Sequence, residues 1–443
     1  MLGGPAGKGR RIAVVGGGIS GLSAAIRLES CGHDVELIER DDALGGRFGV
    51  AKLGDRPVML GGKNIGRRYH AFRSFVAALG DYQWEPFGIN QSTMKDGEVL
   101  TLDSSRRSRS LGNIRRMGSV RDLARMVMMA ARIRADESNR FLGSNYFTRL
   151  SRRHDHAPLS AHFGEALTST LLRPMTVRMN GAEPDEVYLG TFGTNLALLM
   201  DSYDQLKAGI QPALDAIAQR VTVRMNTQVE SIVVRDGEVV GLRVAANGKP
   251  SAEVSYDGVV VATPAYVTAE ILRAEHPTLS KRLAEVRYFP TTVVLVEYDR
   301  PVFTPEVRAL AMNDGGPCSN AGSYGRQDRH IVRYTFSGRN GRSYSDPSSD
   351  RLDEWVGSTE ERLIRYLGAG RAQRVRTVSR SWRAGYCAYI PFHGEFLAEV
   401  SGAVAKLPGL ELAGDYLWGV SLEACTRSGN AAAERLSAAD RGD

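Results

Sequence analysis

The chain has 443 residues, 42% of them hydrophobic and 24% charged, with a formal net charge of +7. That length exceeds one ordinary core and predicts two or three domains. The mild basic balance favours anionic partners, but no block of like charge is long enough for a nucleic-acid-binding arm, and nucleic acid is excluded as a partner.

Gly3 to Gly9 and, at the other end, Ala438 to Asp443 are expected to fray. Ile12 to Val15 form a short apolar run suited to a buried parallel strand. Gly16, Gly18 and Gly21 follow at the dinucleotide-binding spacing, and Ile19 to Glu29 reads as a helix. The first glycine permits a tight turn, the second lets backbone N–H groups approach a pyrophosphate, and the third lets helix and strand pack closely. The helix N-terminus, with Ile19 and Ser20 in its first turn, faces the negative charge. Val35 to Ile38 is a second strand; Glu39 ends it about 20 residues past the glycines, where a carboxylate accepts from a ribose hydroxyl.

Gly45-Gly46-Arg47 comes next, then a strand from Val58 that breaks into Gly61-Gly62-Lys63, and a helix over Ala71 to Leu79. Ser119 to Arg134 predicts an amphipathic helix with Val120, Leu123, Val127 and Ala131 on one face, Arg121, Arg125 and Arg132 on another, and Ser119 as N-cap. An ordinary domain helix with an arginine-lined solvent face is the favoured reading; docking on a membrane surface or shaping of a hydrophobic tunnel is the alternative. Gln211 to Ala218 is helical, and Asp236-Gly237 between alternating runs in Val221 to Val244 predicts a hairpin. Tyr256 to Ala262 is a buried strand ended by Thr263-Pro264. Thr292 to Tyr298, Val332 to Phe336 and Val375 to Trp382 read as strands, and Asp353 to Leu367 as a helix. Leu410 to Asp415 returns to strand and turn, followed by a helix from Ser421 to Leu436.

Four segments carry a resemblance: Gly16 to Gly21 with Glu39; Gly45-Gly46-Arg47; the Val229 hairpin with Val259 to Pro264; and Ala413-Gly414-Asp415 with Ser421 to Ala432. Together they resemble the FAD-dependent superfamily of amine oxidases, phytoene-type desaturases and protoporphyrinogen oxidases. The resemblance implies an α/β fold: a glutathione-reductase-like FAD-binding domain with a Rossmann-type parallel sheet, beside a mixed α+β substrate domain. Residues 8–85, 211–275 and 386–443 would build the first, and 86–210 with 276–385 the second. It further implies that Gly16 to Gly21 hold the pyrophosphate, that Glu39 with Arg40 beside it holds the adenosine ribose, and that Gly46-Arg47 approaches the phosphates or flavin edge. Gly61-Gly62 would let backbone lie against the isoalloxazine, Val229 would contact adenine, and Gly414-Asp415 would reach the ribityl chain or a phosphate. The helix beginning at Ser421-Leu422 would aim its positive end at flavin N1–C2=O, favouring the anionic reduced form.

Departures from the pattern bear on substrate. Many amine oxidases of this superfamily carry a lysine near flavin N5, whereas the strand Tyr288 to Tyr298 has Thr291 and Thr292 instead. Lys63 is either a cation near the flavin pyrimidine or a substrate carboxylate, or a solvated turn lysine. Cys387 stands near where monoamine oxidases attach flavin covalently, but at the wrong distance from the next proline, so non-covalent FAD is expected. Trp382, Tyr389 and Trp418 are candidates for an aromatic wall, with core packing as the competing reading. No catalytic residue stands out; Lys63, Thr292, Tyr389 and Trp418 are candidates near the flavin. The four cysteines have no Cys-x-x-Cys pair and the eight histidines no ligand spacing, so no metal is assigned. No run approaches the ~20 apolar residues of a membrane span, and a cytoplasmic protein is expected, peripheral membrane contact staying open.

The function expected is dehydrogenation of a C–C or C–N bond of a largely apolar small molecule by hydride transfer to flavin N5, with reoxidation by oxygen or another acceptor. A flavin amine oxidase, a non-redox isomerase or mutase, and an FAD-less prenyl-binding relative are the alternatives. The intact glycines, Glu39 and Asp415 argue against the last.

Overall fold

The computed structural model describes residues 9–438 apart from 89, 104, 247, 248, 343–346 and 369. The ends expected to fray therefore lie outside the described residues, except Gly9 and Ala438.

The apolar runs Arg11–Val15 and Asp34–Ile38, each buried at four of five positions, are covered on both faces, as parallel strands require. With Thr222–Arg224, Gly258–Val261 and Leu410–Leu412 they form a five-stranded parallel sheet. Val15 pairs with both Ile38 and Val261, and Val261 with Leu412, so these strands end level. The turns after Val15, Val261 and Leu412 consequently open along one edge of the sheet. The helices Ile19–Ser30 and Leu422–Ala438 cover one face through a shared core that includes Leu22, Ala25, Ala432 and Leu436. They cross closely: a Cβ on Gly429 would run into the Ser20 carbonyl oxygen.

On the other face lies a three-stranded antiparallel sheet, Thr227–Arg235, Glu238–Ala246 and Ala252–Ser255. Its hairpin turns at Asp236 and Gly237, both at positive φ (52° and 83°), the geometry that an Asp-Gly pair favours. The run from Val221 is split: Thr222–Arg224 joins the parallel sheet, Asn226 turns at φ 51°, and the hairpin begins at Thr227.

A seven-stranded sheet holds Asn90–Lys95 and Glu98–Asp103 at one edge and Arg374–Tyr389 at the other. Arg374–Tyr389 pairs along its length with Arg287–Tyr298, and the end of this ribbon packs through Cys387 and Tyr389 into the core shared with the parallel sheet. Helices from residues 107–199 cover the second region with a core of Met117, Met126, Met129, Phe147, Leu172 and Phe192.

The helix Val120–Ala135 forms with Ser119 as its cap, but its buried face differs from the expected one. Met126, Met129 and Ile133 are buried, whereas Val120 and Val127 are 85% and 67% exposed. The inward side is set by the longer methionines, which fill an irregular core, and by Asp122, which accepts from Ser119 and from the Gly164 N–H. Among the described residues, no helix is long and apolar enough to cross a membrane.

Candidate active site

A cavity of about 410 Å³ opens where the level ends of the parallel strands meet the seven-stranded sheet, within the range usual for small-molecule sites. Gly18, Ile19, Ser20, Arg47, Gly61, Gly62, Lys63, Gly414, Asp415 and Leu422 line it from the first side. Thr291, Val293, Arg333, Trp382 and Tyr386 line it from the second.

The glycine turn is held from both sides: the Gly16 N–H donates to the Ile38 carbonyl and the Gly45 N–H to the Gly17 carbonyl, each at 2.8 Å. Gly21 lies behind the turn, where a Cβ would collide with the Gly16 carbonyl oxygen. Gly18 differs, since a Cβ there would meet no atom within 4 Å. Gly46 lies against Gly18, and Gly61 runs so close to the backbone of Arg47 and Phe48 that no side chain fits. The result is an open backbone cradle at the N-terminus of a long helix, suited to a pyrophosphate.

Glu39 ends its strand beside this turn, nearly buried. One carboxylate oxygen accepts from the Gly17 N–H (2.6 Å) and the other from the Asp41 N–H (2.9 Å), which fixes the side chain and leaves further lone pairs. Arg40 is exposed and pairs with Asp41, and Val229 is buried in its strand; neither lines the cavity. Ser421 caps the helix Leu422–Ala438 by accepting from the Ala424 N–H at 3.1 Å, while Val420, Leu422 and Cys425 turn this helix start to the cavity.

Arg47 and Asp415 meet at 2.6 Å, and the Tyr288 hydroxyl donates to the other Asp415 oxygen at 2.9 Å. Burial works against the Arg47 charge, but Asp415 and Tyr288 beside it raise its pKa further above the ordinary value. Burial followed by the Asp415 charge pushes the Tyr288 hydroxyl well up, so it stays a donor. Tyr288 was not singled out by sequence. Its only signal was its place at the start of a strand expected near the flavin.

Lys63 is buried, not a solvated turn lysine. Its ammonium donates to Gln205 Oε1 at 2.9 Å and to the Tyr324 carbonyl, and sits 4.0 Å from the Phe87 ring centroid. Burial, then Arg333 and Arg178, hold its pKa well below the usual lysine value.

Three expectations are corrected. Thr292 does not reach the cavity: its hydroxyl bonds Ser381 at 2.8 Å on the opposite face, and Thr291 and Val293 face inward instead. Tyr389, at φ 61°, accepts from the Val420 N–H at 3.0 Å and packs on His393, away from the cavity lining. Trp418 packs edge-on against Phe141, also off the lining. Trp382 alone of the three aromatics lines the space, with its buried indole N–H unpartnered. Cys387 lines the cavity too, but burial pushes its thiol well above the ordinary value, and a thiol held protonated is a poor nucleophile. Replacing Thr292 by valine is expected to cost about 1 kcal/mol of stability, the worth of one hydrogen bond, with an unchanged flavin spectrum. A shifted spectrum in the folded variant would return Thr292 to the cavity.

Among the described residues, no group of three or more His, Cys, Asp or Glu is placed to hold a metal ion. The cradle, the open space at Gly18, the Arg47–Asp415–Tyr288 group and the unpartnered Trp382 N–H fit FAD.

Comparison with known proteins agrees. The family model described as flavin containing amine oxidoreductase matches residues 19–437. The coproporphyrinogen III oxidase of Mycobacterium leprae (strain TN) is 23% identical, over 97% of this chain and 98% of that protein. Cyclohexylamine oxidase from Brevibacterium oxydans IH-35A superposes with a TM-score of 0.73 at 16% identity, over 98% of this chain and 100% of that one. Wild-type putrescine oxidase bound to putrescine superposes with a TM-score of 0.72 at 18% identity, over 97% of this chain and 99% of that one. At these identities the structural likeness is one of fold. The chain belongs to the flavin-containing amine oxidoreductase family and is an FAD-dependent oxidoreductase.

Proposed function

We propose that the protein dehydrogenates a C–C or C–N bond of a largely apolar small molecule that carries no positive charge, in the manner of porphyrinogen oxidases and desaturases. The observation that carries this reading is the cavity wall beyond the glycine turns. Leu102, Met117, Leu171, Met175 and Met179 supply apolar surface there, and Lys63, Arg178, Arg308 and Arg333 supply positive charge. Among the described lining residues the one carboxylate is Asp415, already engaged by Arg47. A protonated amine entering this space would lose its water against like charge with no counter-ion. Amine oxidation is therefore the second reading.

In this reading residues 8–85, 211–275 and 386–443 form the nucleotide-binding part, and 86–210 with 276–385 the substrate part. Gly18 to Ser20 and the helix behind them take the pyrophosphate on backbone N–H groups. Glu39 accepts from the ribose, with Arg40 and Val229 further along the adenosine. Arg47 would approach the phosphates or the flavin edge, Asp415 would bond the ribityl chain or a phosphate oxygen, and Gly61-Gly62 would let backbone lie against the ring. The start of the helix Leu422–Ala438 presents its positive end to the ring. Bound FAD supplies the hydride acceptor, reoxidised afterwards by oxygen or another acceptor. The apolar wall excludes water and orients the substrate C–H.

The name of the mycobacterial relative makes a porphyrinogen the first substrate to try. FAD-loaded protein mixed anaerobically with coproporphyrinogen III is expected to lose its visible flavin absorbance, and with cyclohexylamine or putrescine to keep it. Bleaching by the amines and not by the porphyrinogen would overturn the reading.

A further inference from the structure

We infer that Lys63, Arg178 and Arg333 form an anion subsite within the cavity that binds a carboxylate of the substrate. The inference rests on the proposed reading of this cavity as a substrate chamber and adds a charged anchor to its apolar wall.

The three cations come from distant parts of the chain: the turn after Gly62, the helix Arg173–Asn180 and the strand Ile331–Phe336. All three line the same cavity. Each is tied to a neutral acceptor, which aims the group without cancelling its charge. Arg178 Nη1 donates to Gln91 Oε1 at 3.1 Å, and Arg333 Nη1 donates to the Gly61 carbonyl at 2.9 Å. Lys63 donates to Gln205 Oε1 and the Tyr324 carbonyl. Among the described residues, no carboxylate lies within ion-pair distance of any of the three.

Neighbouring arginines are treated differently. Arg173, on the same helix as Arg178, pairs with Glu183 at 2.8 Å; Arg342 pairs with Glu186, and the buried Arg140 with Asp201 at 3.1 Å. Arg173, Arg342 and Arg140 are thus matched with carboxylates and the cluster is not; Arg308 on the same lining, which donates to the Phe87 carbonyl, has no carboxylate ion pair among the described residues either. The grouping is unfavourable in itself. Burial lowers the pKa of all three, Arg333 and Arg178 lower that of Lys63 against a smaller opposing pull from Asp328 and Glu85, and Arg178 lowers that of Arg333. Three cations in one cavity with no carboxylate within ion-pair distance are poised to take an anion from outside the chain. The phosphates of FAD have a cation of their own beside the glycine turn, Arg47.

Guanidinium forks favour a planar oxyanion bound through two oxygens, which is what a carboxylate offers. Leu171, Met175, Met179 and Val293 on the same lining would hold the apolar body to which it is attached.

The test uses FAD-loaded protein and two matched pairs of probes: cyclohexanecarboxylate with cyclohexylmethanol, and coproporphyrin III with its tetramethyl ester. Binding is read by calorimetry and by change in the flavin spectrum. At least one acid is expected to bind tenfold or more tighter than its uncharged partner. Arg178→Gln and Arg333→Gln should each weaken the acid by roughly ten- to hundredfold and leave the uncharged probe unchanged. Should a glutamine variant fail to fold, Arg178→Lys or Arg333→Lys replaces it, and the acid-to-neutral ratio of the unaltered protein decides by itself. Equal binding of acid and neutral probes, or equal weakening of both, overturns the subsite. Variants that shift the flavin spectrum but leave acid binding intact also overturn it, by assigning the cations to the cofactor. If the acids bind with this arginine dependence while coproporphyrinogen fails to reduce the flavin, the subsite stands and the porphyrinogen reading falls.

Discussion

Arg47→Ala is expected to cost the FAD-free protein about 3 kcal/mol, because it leaves a buried carboxylate without its ion-pair partner. The Asp415 side chain is only 4% exposed, and after the change it would keep one neutral donor, the Tyr288 hydroxyl. Arg47 is 34% exposed, so the reverse change, Asp415→Asn, leaves a charge that water partly serves and should cost less. Removing both charges in Arg47→Leu/Asp415→Asn should recover part of the loss, since no unpaired charge remains. Denaturant unfolding of the apoproteins measures all three. An Arg47→Ala protein as stable as the unaltered one would mean that the pair does not form. The same variants should bind FAD more weakly, because Arg47 and Asp415 both line the cavity.

Two alanine substitutions in the glycine turn are expected to fail in opposite ways. Gly21→Ala places a methyl group against the Gly16 carbonyl oxygen, part of the backbone, so strand and helix must separate and the fold should be lost or severely weakened. Gly18→Ala meets only open space, and its backbone, φ −79° and ψ 174°, suits any residue. Its apoprotein should match the unaltered one in stability, while the methyl group occupies room meant for the cofactor. At about 1–3 kcal/mol for such overpacking, FAD affinity should fall roughly ten- to hundredfold. Thermal unfolding without FAD and flavin titration separate the two effects. A Gly18→Ala protein with full FAD affinity would remove the pyrophosphate from this turn.

How far the sequence reaches depends on what sets each position. The parallel strands were legible because burial on both faces leaves continuous apolar runs, and the hairpin because Asp236-Gly237 meets a backbone need that few residue pairs meet. The phase of the strand Arg287–Tyr298 was not legible. Val293, Val294, Leu295 and Val296 are all buried, so no polar alternation says which face holds the cavity, and Thr291 was exchanged for Thr292. In Val120–Ala135 both valines and methionines made acceptable apolar stripes, and only the tertiary core chose between them. Tyr389 and Trp418 adjoin the right motifs in the chain, but closeness in sequence does not say where a ring points. The cluster of Lys63, Arg178 and Arg333 was invisible for a simpler reason: it exists only when three distant segments fold together.

Net removal of hydrogen from a substrate in this cavity can be read from the mass of the product of a single anaerobic turnover, taken with the redox state of the flavin. The product is expected to be lighter by two hydrogen atoms for each flavin reduced, with coproporphyrinogen III as the first substrate to be tried. A product of unchanged mass formed over oxidised flavin would contradict it and place the protein among enzymes that rearrange their substrates.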